Sequence, residues 1–282
     1  MEKRVVIASD STTDLSPELI AHYGVQIIPL SVGLGDKQYL DGVDIDPDMI
    51  YAHYEQYKEL PKTAAPNIAA FYEFFSHLVG QGCDVVCFTI SAEMSSTYQS
   101  ARIAALEFCG VHVVDTRNLS TGGGLLVVAA AEMARAGKSA DEIVAACAAL
   151  TEKVDASFVV DDLEFLHKGG RCSAVAAFGA NLLQLKPCIS VREGKMGVGK
   201  KYRGKFAAVL EKYVQDRLGD GTDIRPECVF VTHAGCEESI YNACAAQVKA
   251  ILPEATVHVT RAGCTVSSHC GRNTLGVLFI HK

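Results

Sequence analysis

Four short segments of the sequence place small hydroxylated residues where a strand is expected to end or a helix to begin. They are residues 10–13 (DSTT), 62–66 (KTAAP), 91–98 (SAEMSSTY) and 115–124 (DTRNLSTGGG). Hydroxyl groups and the free backbone N–H groups at helix N-termini make good binding sites for an anion. Each segment taken singly is better explained as a helix cap. The chemistry that the four could perform together is the binding of an anionic group.

Basic residues and histidines in the second half could take part in the same chemistry. The turn KGGR at 168–171 could bind an anion or could cap the helix before it, and residues 186–203 carry six Lys and Arg against the single acid Glu193. A solvated hairpin would have the same composition as this basic stretch. His233 follows a predicted strand and His269 lies in the segment SSHCG. For either histidine considered alone, a structural role is the better interpretation.

The sequence contains no recognisable catalytic set. Motifs of the GxSxG and HExxH type are absent, and the glycines at 122–124 lack the spacing of nucleotide-binding loops. Cys264, His269 and Cys270 lie close together, but their spacing matches no common zinc pattern. We therefore expect no cofactor, no metal and no catalytic residue, and the residues alone predict an anion-binding site between two domains.

Composition limits the class of protein further. The 282 residues are 49% hydrophobic and 21% charged, which is typical of a globular chain. The net charge of −7 argues against nucleic-acid binding, which requires clustered Lys and Arg. None of the eleven cysteines forms a CxxC pair, and most lie in apolar runs, which favours buried thiols in a reducing cytoplasm. The apolar runs at 5–8 and 125–131 are too short for a signal core or a stable membrane span.

The elements that must position these segments follow a βαβ order in the first half. Apolar strands are predicted at residues 5–8, 25–32, 85–90 and 111–114. Helices are predicted after the N-caps Ser16 and Asn67, after Ser95, and from about Gly124. Continuous apolar strands alternating with helices indicate a doubly wound parallel-sheet α/β domain, assigned to residues 1–155.

The pattern changes in residues 156–282, which are predicted to form an α+β domain with a mixed sheet. A hairpin is expected over residues 187–203 with its turn at Glu193-Gly194. Helices around residues 205–218 and 237–252 accompany strands at 157–160, 228–231, 257–260 and 275–280. In such an α/β order, ligands bind at the carboxyl ends of the first domain's strands, here near the domain junction.

Taken together, the segments resemble the DegV family of bacterial fatty-acid-binding proteins. The resembling blocks occur in order along the whole chain. They are DSTTDL at 10–15, KTAAP at 62–66, ISAEMSSTYQSA at 90–101, VVDTRNLSTGGG at 113–124, LEFLHKGGRCS at 163–173, KPCISVREGK with KKYRGK at 186–205, and AGCTVSSHCGRNTLG at 262–276. Any one block is weak evidence, whereas seven blocks in the same order are specific.

The resemblance implies a function and a set of site residues. A protein of this family holds one long-chain fatty acid in a buried tunnel between two domains and is not itself an enzyme. The carboxylate would lie near Thr63 and Ser95, with Arg203 and His269 joining the polar network. A partner fatty acid kinase would then convert the presented carboxylate to an acyl-phosphate for phospholipid synthesis.

The chain also departs from the family pattern around the expected head group. Ala64 and Ala65 replace Ser and Gln, and Ser96 replaces a Gly, which places a side chain where backbone would approach the carboxylate. Ser96 is therefore included among the ligand-binding residues. Four further replacements surround His269: Ser268, Cys270, Arg272 and Asn273.

Two other functions compete with this interpretation. The family is similar in part to dihydroxyacetone-kinase subunits, so the chain could be the substrate-binding subunit of a small-molecule kinase, with His269 or His233 as a covalent attachment point. The missing nucleotide loop argues against this alternative. The chain could also be an interaction or regulatory protein with a vestigial pocket, but Thr63, Ser95, Arg203 and His269 are all retained.

Overall fold

The structure, a computed structural model, describes residues 4–172 and 185–282, so Ser173 at the end of the block 163–173 lies outside the described residues. The strands are Val5–Asp10 (β1), Gln26–Ile28 (β2), Ser31–Leu34 (β3), Lys37–Leu40 (β4), Lys62–Ala64 (β5), Asp84–Thr89 (β6), Val111–Asp115 (β7), Val154–Val160 (β8), Lys186–Arg192 (β9), Lys195–Tyr202 (β10), Val229–Ala234 (β11), Val257–Arg261 (β12) and Thr274–Ile280 (β13). The helices are Pro17–Tyr23 (α1), Pro47–Tyr57 (α2), Ile68–Val79 (α3), Thr97–Ala105 (α4), Thr121–Arg135 (α5), Ala140–Thr151 (α6), Glu164–Lys168 (α7), Phe206–Leu218 (α8), Glu238–Ile251 (α9) and Cys264–Cys270 (α10).

The first sheet is parallel throughout, with the strand order β2-β1-β6-β7. One face packs against α3 and α4 through residues such as Phe71 and Ala101. The other face packs against α1, α5 and α6 through residues such as Leu19, Leu126 and Ile143. Helices on both faces explain why these strands carry apolar residues on both of their faces. The predicted doubly wound α/β arrangement is confirmed.

The prediction of one strand over residues 25–32 is wrong. The segment forms two strands that belong to different sheets, with Pro29 between β2 and β3. Proline lacks the N–H group that a ladder needs and fixes φ, so the chain changes sheets at this point. Strand β3 is the centre of a small antiparallel sheet of order β4-β3-β5, which the sequence analysis missed. This sheet and α2 enclose a small core around Val32 and Ile50.

The second half forms a mixed six-stranded sheet of order β10-β9-β8-β13-β11-β12, in which only β11 and β12 are parallel. The predicted hairpin is confirmed, because Arg192 pairs with Lys195 across the turn. Glu193 and Gly194 both have positive φ, of 49° and 80°. This is the combination that a two-residue hairpin turn of the primed type requires. Helices α8 and α9 cover one face of the sheet through residues such as Tyr213 and Val248.

Helix α5 joins the two large sheets because it packs against both. Its apolar residues share one core with Ile7 and Val86 of the first sheet and with Phe230 and Leu278 of the mixed sheet. The glycines at its start permit this close packing. A Cβ atom at Gly124 would lie 2.9 Å from the carbonyl oxygen of Thr13. The chain passes from one sheet to the other between β7 and β8, close to the predicted domain boundary at residue 155, and the division into domains stays a prediction.

The cysteines are all free thiols, and every one except Cys109 and Cys228 is buried. Burial raises the pKa of most of these thiols, for example that of Cys147 to about 12. A thiol with a raised pKa is a poor nucleophile, so the cysteines behave as small apolar residues of the core. None of the helices in residues 4–172 and 185–282 combines the length and apolar character needed to span a bilayer.

Candidate functional site

A cavity of about 510 Å³ lies between the parallel sheet, the mixed sheet and α10. Its lining is mostly apolar and includes Leu30, Ile90, Met94, Leu119, Phe158, Leu166, Val191, Met196, Val266 and Leu278. The lining also includes polar side chains: Thr63, Ser95, Ser96, Ser120, Ser157, Arg171, Thr232, His233, Thr265, His269 and Thr274. A concave, mostly apolar volume with some polar groups on its wall is the usual form of a small-molecule site.

Thr63 and His269 form the central polar pair of the cavity. The Thr63 Oγ1 atom lies 2.8 Å from His269 Nε2, although the two residues are 206 positions apart in the chain. Thr63 is the middle residue of the short strand β5, and His269 lies in the last turn of α10. The structure therefore brings together two residues that the sequence analysis assigned to one site.

His269 is a neutral imidazole at physiological pH. Burial, assisted by the nearby Arg171 guanidinium, lowers its pKa to about 4. The buried Nδ1 atom has no hydrogen-bond partner among the described residues. Gly169 makes room for the ring, because a Cβ atom there would lie 2.8 Å from Nδ1. In the turn at 168–171, Gly169 thus has a packing role, and Arg171 lies on the cavity wall.

Two buried carboxylates from the first half of the chain hold the N-terminus of α10. Asp14 accepts a hydrogen bond from Gly263 N (2.8 Å) and from the hydroxyl of Ser120 (2.5 Å). Asp41 accepts hydrogen bonds from Cys264 N (2.7 Å) and Thr265 N (3.1 Å). These carboxylates satisfy N–H groups that a helix N-terminus leaves without partners, and they complement its dipole. Their contacts fix α10, and with it the position of His269 beside Thr63.

The loop between β6 and α4 carries Ser95 and Ser96 to the cavity wall. The hydroxyl of Ser95 lies 2.8 Å from that of Thr97 and accepts a hydrogen bond from Thr97 N at 3.3 Å. Ser96 is exposed and precedes α4 with φ −76° and no side-chain capping bond. Its negative φ means that the backbone at this position does not require the family's glycine.

Arg203 does not lie with the other predicted residues. It is exposed just beyond the end of β10, and it is not among the described residues that line the cavity. Its part in the head-group network therefore stays a prediction. The cation that does line the cavity is Arg171, whose guanidinium donates to the carbonyl oxygen of Gly169 at 2.9 Å. The basic turn KGGR was the only sequence signal for it.

The cavity wall also carries His233, which the sequence analysis considered as a candidate, and Thr265, which it did not single out. His233 stacks on Tyr241 with ring centroids 4.2 Å apart, and its buried Nδ1 atom has no hydrogen-bond partner among the described residues. Burial lowers the pKa of His233 to about 4. The buried hydroxyl of Thr265 likewise has no partner in residues 4–172 and 185–282. Both side chains lie on the wall of the same cavity as Thr63 and His269.

The residues considered as metal ligands have other contacts. Cys264 Sγ lies 3.3 Å from the carbonyl oxygen of Ile45, and His269 pairs with Thr63. Within the part of the chain that the structure describes, no three His, Cys, Asp or Glu side chains are grouped as metal ligands.

Comparison with known proteins identifies the relatives of this chain. The model of the DegV family, whose description is that of uncharacterised proteins, matches residues 4–282. A DegV domain-containing protein from Deinococcus radiodurans is 34% identical over 97% of both chains. A second, from Caldanaerobacter subterraneus, is 31% identical over the full length of both.

Solved structures show the same fold. A fatty-acid-binding DegV family protein from Thermus thermophilus is 30% identical, with a TM-score of 0.89 over 99% of this chain and 100% of that one. A stearic acid-binding protein from Eubacterium ventriosum is 28% identical, with a TM-score of 0.85 over 100% of this chain and 99% of that one. DegV from Bacillus subtilis, a fatty acid binding protein, is 25% identical, with a TM-score of 0.86 and full coverage of both chains.

Proposed function

The chain belongs to the DegV family, and we propose that it binds one long-chain fatty acid in the cavity between its sheets and presents the carboxylate to a partner fatty acid kinase. In this proposal the protein is a carrier without chemistry of its own, and no cofactor takes part. The carboxylate lies against Thr63, Ser95, Ser96 and His269, and Arg203 acts at the point of transfer. The site of action is the cytoplasm, which agrees with eleven free cysteines.

The observation that carries the proposal is the pairing of an apolar cavity with the Thr63–His269 contact. A tail of about fourteen methylenes gains roughly 11 kcal/mol of gross driving force on burial, at about 0.8 kcal/mol per methylene. We propose acids of roughly C14–C18 as the ligands, and association and ordering costs reduce the net affinity.

The head group needs few contacts, but those contacts must be good because a buried charge without partners is costly. Thr63 and the neutral His269 share one hydrogen bond at 2.8 Å, so one of the two residues keeps an O–H or N–H group that this bond does not use. If Thr63 donates to Nε2, the His269 proton lies on Nδ1; if Nε2–H donates to Thr63, the threonine hydroxyl is free to donate. Arg171 on the same wall adds a positive charge.

Mass spectrometry of an organic extract of the purified protein tests binding. We expect a stoichiometric long-chain acid that is released only on denaturation. A well-folded protein that is consistently empty and that takes up no acid from solution would contradict the proposal.

Presentation is tested separately, by following acyl-phosphate formation when a fatty acid kinase from the same organism and ATP are added to the loaded protein. A loaded protein that labels itself with phosphate in the absence of the kinase would instead favour a kinase-type subunit.

A further inference from the structure

Among the described residues, one buried hydroxyl on the cavity wall has no hydrogen-bond partner, unlike the other buried hydroxyls there. Ser120 donates to Asp14, Ser157 lies 2.9 Å from the Tyr213 hydroxyl, Thr232 lies 2.6 Å from the Thr121 hydroxyl, and Thr274 donates to the carbonyl oxygen of Cys270 at 3.0 Å. Thr265 also lines the cavity and is only 4% exposed, yet its Oγ1 atom has no partner in residues 4–172 and 185–282.

The position of Thr265 near the start of its helix removes one common partner for its hydroxyl. Serines and threonines inside helices usually bond the carbonyl oxygen four residues earlier, as Ser268 does with Cys264 at 2.7 Å. Thr265 is the second residue of α10, so the residue four positions earlier, Arg261, belongs to β12 and not to the helix. The backbone N–H of Thr265 is taken by Asp41, but that bond does not involve the hydroxyl.

Another polar atom without a partner belongs to His233, which lines the same cavity. The buried Nδ1 atom of His233 has no partner among the described residues. Its strand β11 is tied to the segment before α10 by a backbone hydrogen bond of 2.9 Å from Ala262 N to the His233 carbonyl oxygen. A hydroxyl and a neutral imidazole nitrogen can each donate or accept, depending on rotamer and tautomer. Together they suit a neutral oxygen, either a hydroxyl or a carbonyl.

We propose that Thr265, assisted by His233, forms a second polar subsite that recognises an oxygen substituent, hydroxyl or oxo, on the acyl chain. This inference rests on the proposed function and specifies its ligand class. An unsubstituted tail would cover the Thr265 hydroxyl with methylene groups and leave it unsatisfied, which is costly for a buried polar group. An oxygenated chain satisfies the hydroxyl and removes that cost.

The helix geometry places the subsite near the head group. Thr265 and His269 are four residues apart, so they lie on one face of α10, about 6 Å apart along its axis. The substituent is therefore expected within the carboxyl half of the chain and not near the terminal methyl group.

The test compares hexadecanoic acid with its positional series of monohydroxy and oxo derivatives, by displacement of a fluorescent acid. In the wild type, at least one derivative substituted in the carboxyl half should bind about tenfold more tightly, relative to the unsubstituted acid, than it does in Thr265→Val. This shift corresponds to about 1.4 kcal/mol. Because valine has the shape of threonine without the hydroxyl, Thr265→Val should also bind the unsubstituted acid more tightly than the wild type does.

Two variants complete the experiment. Thr265→Ser keeps the hydroxyl and should keep the preference. Thr274→Val removes a cavity-lining hydroxyl that already has a partner, so it should leave the ratio of affinities unchanged. The inference is overturned if Thr265→Val shows the wild-type ratio for every derivative, as it would if Thr265 bonded only a water molecule. Failure of the wild type to bind any acid, substituted or not, would instead overturn the proposed function and this inference with it.

Discussion

At the scale of single residues, the pair of Thr63 and His269 links the beginning of the fold to its end. Neither residue is unusual in its own segment, since Thr63 lies in a three-residue strand and His269 in a seven-residue helix. Their 2.8 Å contact gives the cavity wall a neutral hydrogen-bonding pair in place of a charged one. Burial keeps His269 uncharged. The hydrogen bonds that His269 can form and the pH at which it becomes protonated therefore depend on the surrounding structure.

The first prediction concerns the hydroxyls of the head-group site. Thr63→Val and Ser95→Ala should each weaken fatty-acid binding by roughly tenfold to a hundredfold, because a hydrogen bond to a charged group contributes about 1.5–3 kcal/mol. Displacement of a fluorescent fatty acid measures the affinity. The exposed Thr256→Val is the matched control and should bind like the wild type. Wild-type affinity in both site variants, with normal folding, would show that the carboxylate lies elsewhere.

The second prediction concerns pH. The pKa of His269 is lowered from 6.5 to about 4, so its imidazole binds a proton more readily in the unfolded chain than in the folded one. The contribution of His269 to the free energy of unfolding therefore falls as pH decreases from 6.5 towards 4. Between pH 7 and pH 5 this contribution is about 2 kcal/mol. His269→Asn should therefore lose less stability than the wild type over that interval, measured by denaturant unfolding at both pH values.

Other groups titrate in the same range but cancel in the comparison. Burial raises the pKa of Asp10 to about 6, which makes stability fall as pH rises from 3.8 to 6, the opposite direction. Asp10 is present in both proteins and so contributes equally to each. The exposed His77→Asn is the control and should keep the wild-type difference between pH 7 and pH 5. Equal pH dependence in His269→Asn and the wild type would mean that His269 is not held in a buried, uncharged state.

At the scale of elements, the short helix α10 owes its position to carboxylates that are far away in the sequence. Asp14 and Asp41 accept from the backbone N–H groups of Gly263, Cys264 and Thr265. A helix of seven residues has little stability of its own, since most helical stability in proteins comes from tertiary contacts. The motif DSTTDL thus serves the site indirectly, by holding the helix that carries His269.

The third prediction concerns this anchorage. Asp41→Asn keeps the shape of the side chain but replaces one acceptor oxygen with a donor group, so the bond from Cys264 N or the bond from Thr265 N is lost. The expected cost is about 1–3 kcal/mol of unfolding free energy, the range for leaving a buried polar group unsatisfied. Fatty-acid affinity should also fall, because His269 is displaced.

The control for this variant is an aspartate in an exposed ion pair. Asp48 on α2 bonds Arg261 at 2.6 Å at the surface, and such pairs contribute about 0–1 kcal/mol. Asp48→Asn should therefore change stability little and binding not at all. If Asp41→Asn unfolds like Asp48→Asn in a denaturant titration, the capping role of Asp41 is wrong.

At the scale of the whole molecule, the cavity exists because two sheets and α10 meet around it, while α5 packs between the sheets. Arg203 and most of the basic hairpin are not among the described residues that line this cavity, although Val191 and Met196 of the same hairpin line it. Lys200 already bonds Asp216 of α8 at 2.5 Å, so its charge is partly neutralised within the protein. This arrangement suggests that binding and presentation involve different residues.

The fourth prediction follows from that separation. Arg203→Ala should leave fatty-acid affinity within about twofold of the wild type, because the residue is exposed and away from the described cavity lining. Phosphorylation of the bound acid by a partner kinase should fall, since a cation beside two approaching anions lowers their repulsion. Acyl-phosphate formation measured across ionic strength checks this.

Lys212→Ala, which removes an exposed positive charge from α8, is the control and should be phosphorylated normally. Normal acyl-phosphate formation with Arg203→Ala would mean that the basic stretch is only a solvated hairpin. Loss of fatty-acid binding in the same variant would place Arg203 in the head-group network that the family resemblance implies.

Local sequence determined most of the elements. The N-caps Ser16 and Asn67 bond Leu19 N and Ala70 N as predicted, and Gly24 ends α1 with φ +67°. The turn at Glu193-Gly194 and the apolar run of β6 also have the predicted structure. Capping, turn geometry and side-chain periodicity involve residues only a few positions apart, so the local sequence determines them whatever the surrounding fold. The alternation of apolar strands and helices predicted the fold class, and the family blocks predicted the candidate ligand.

Only the tertiary structure determined which of these residues lie together on the cavity wall. The separation of β2 from β3 at Pro29, the anchoring of α10 by Asp14 and Asp41, and the exposure of Arg203 depend on contacts between distant segments. The same holds for the hydroxyl of Thr265. Only the packing shows that, among the described residues, it has no partner while other buried hydroxyls on the wall do. Hydrogen-bond satisfaction and burial are properties of three-dimensional proximity, and residues more than 200 positions apart acquire them only when the chain folds.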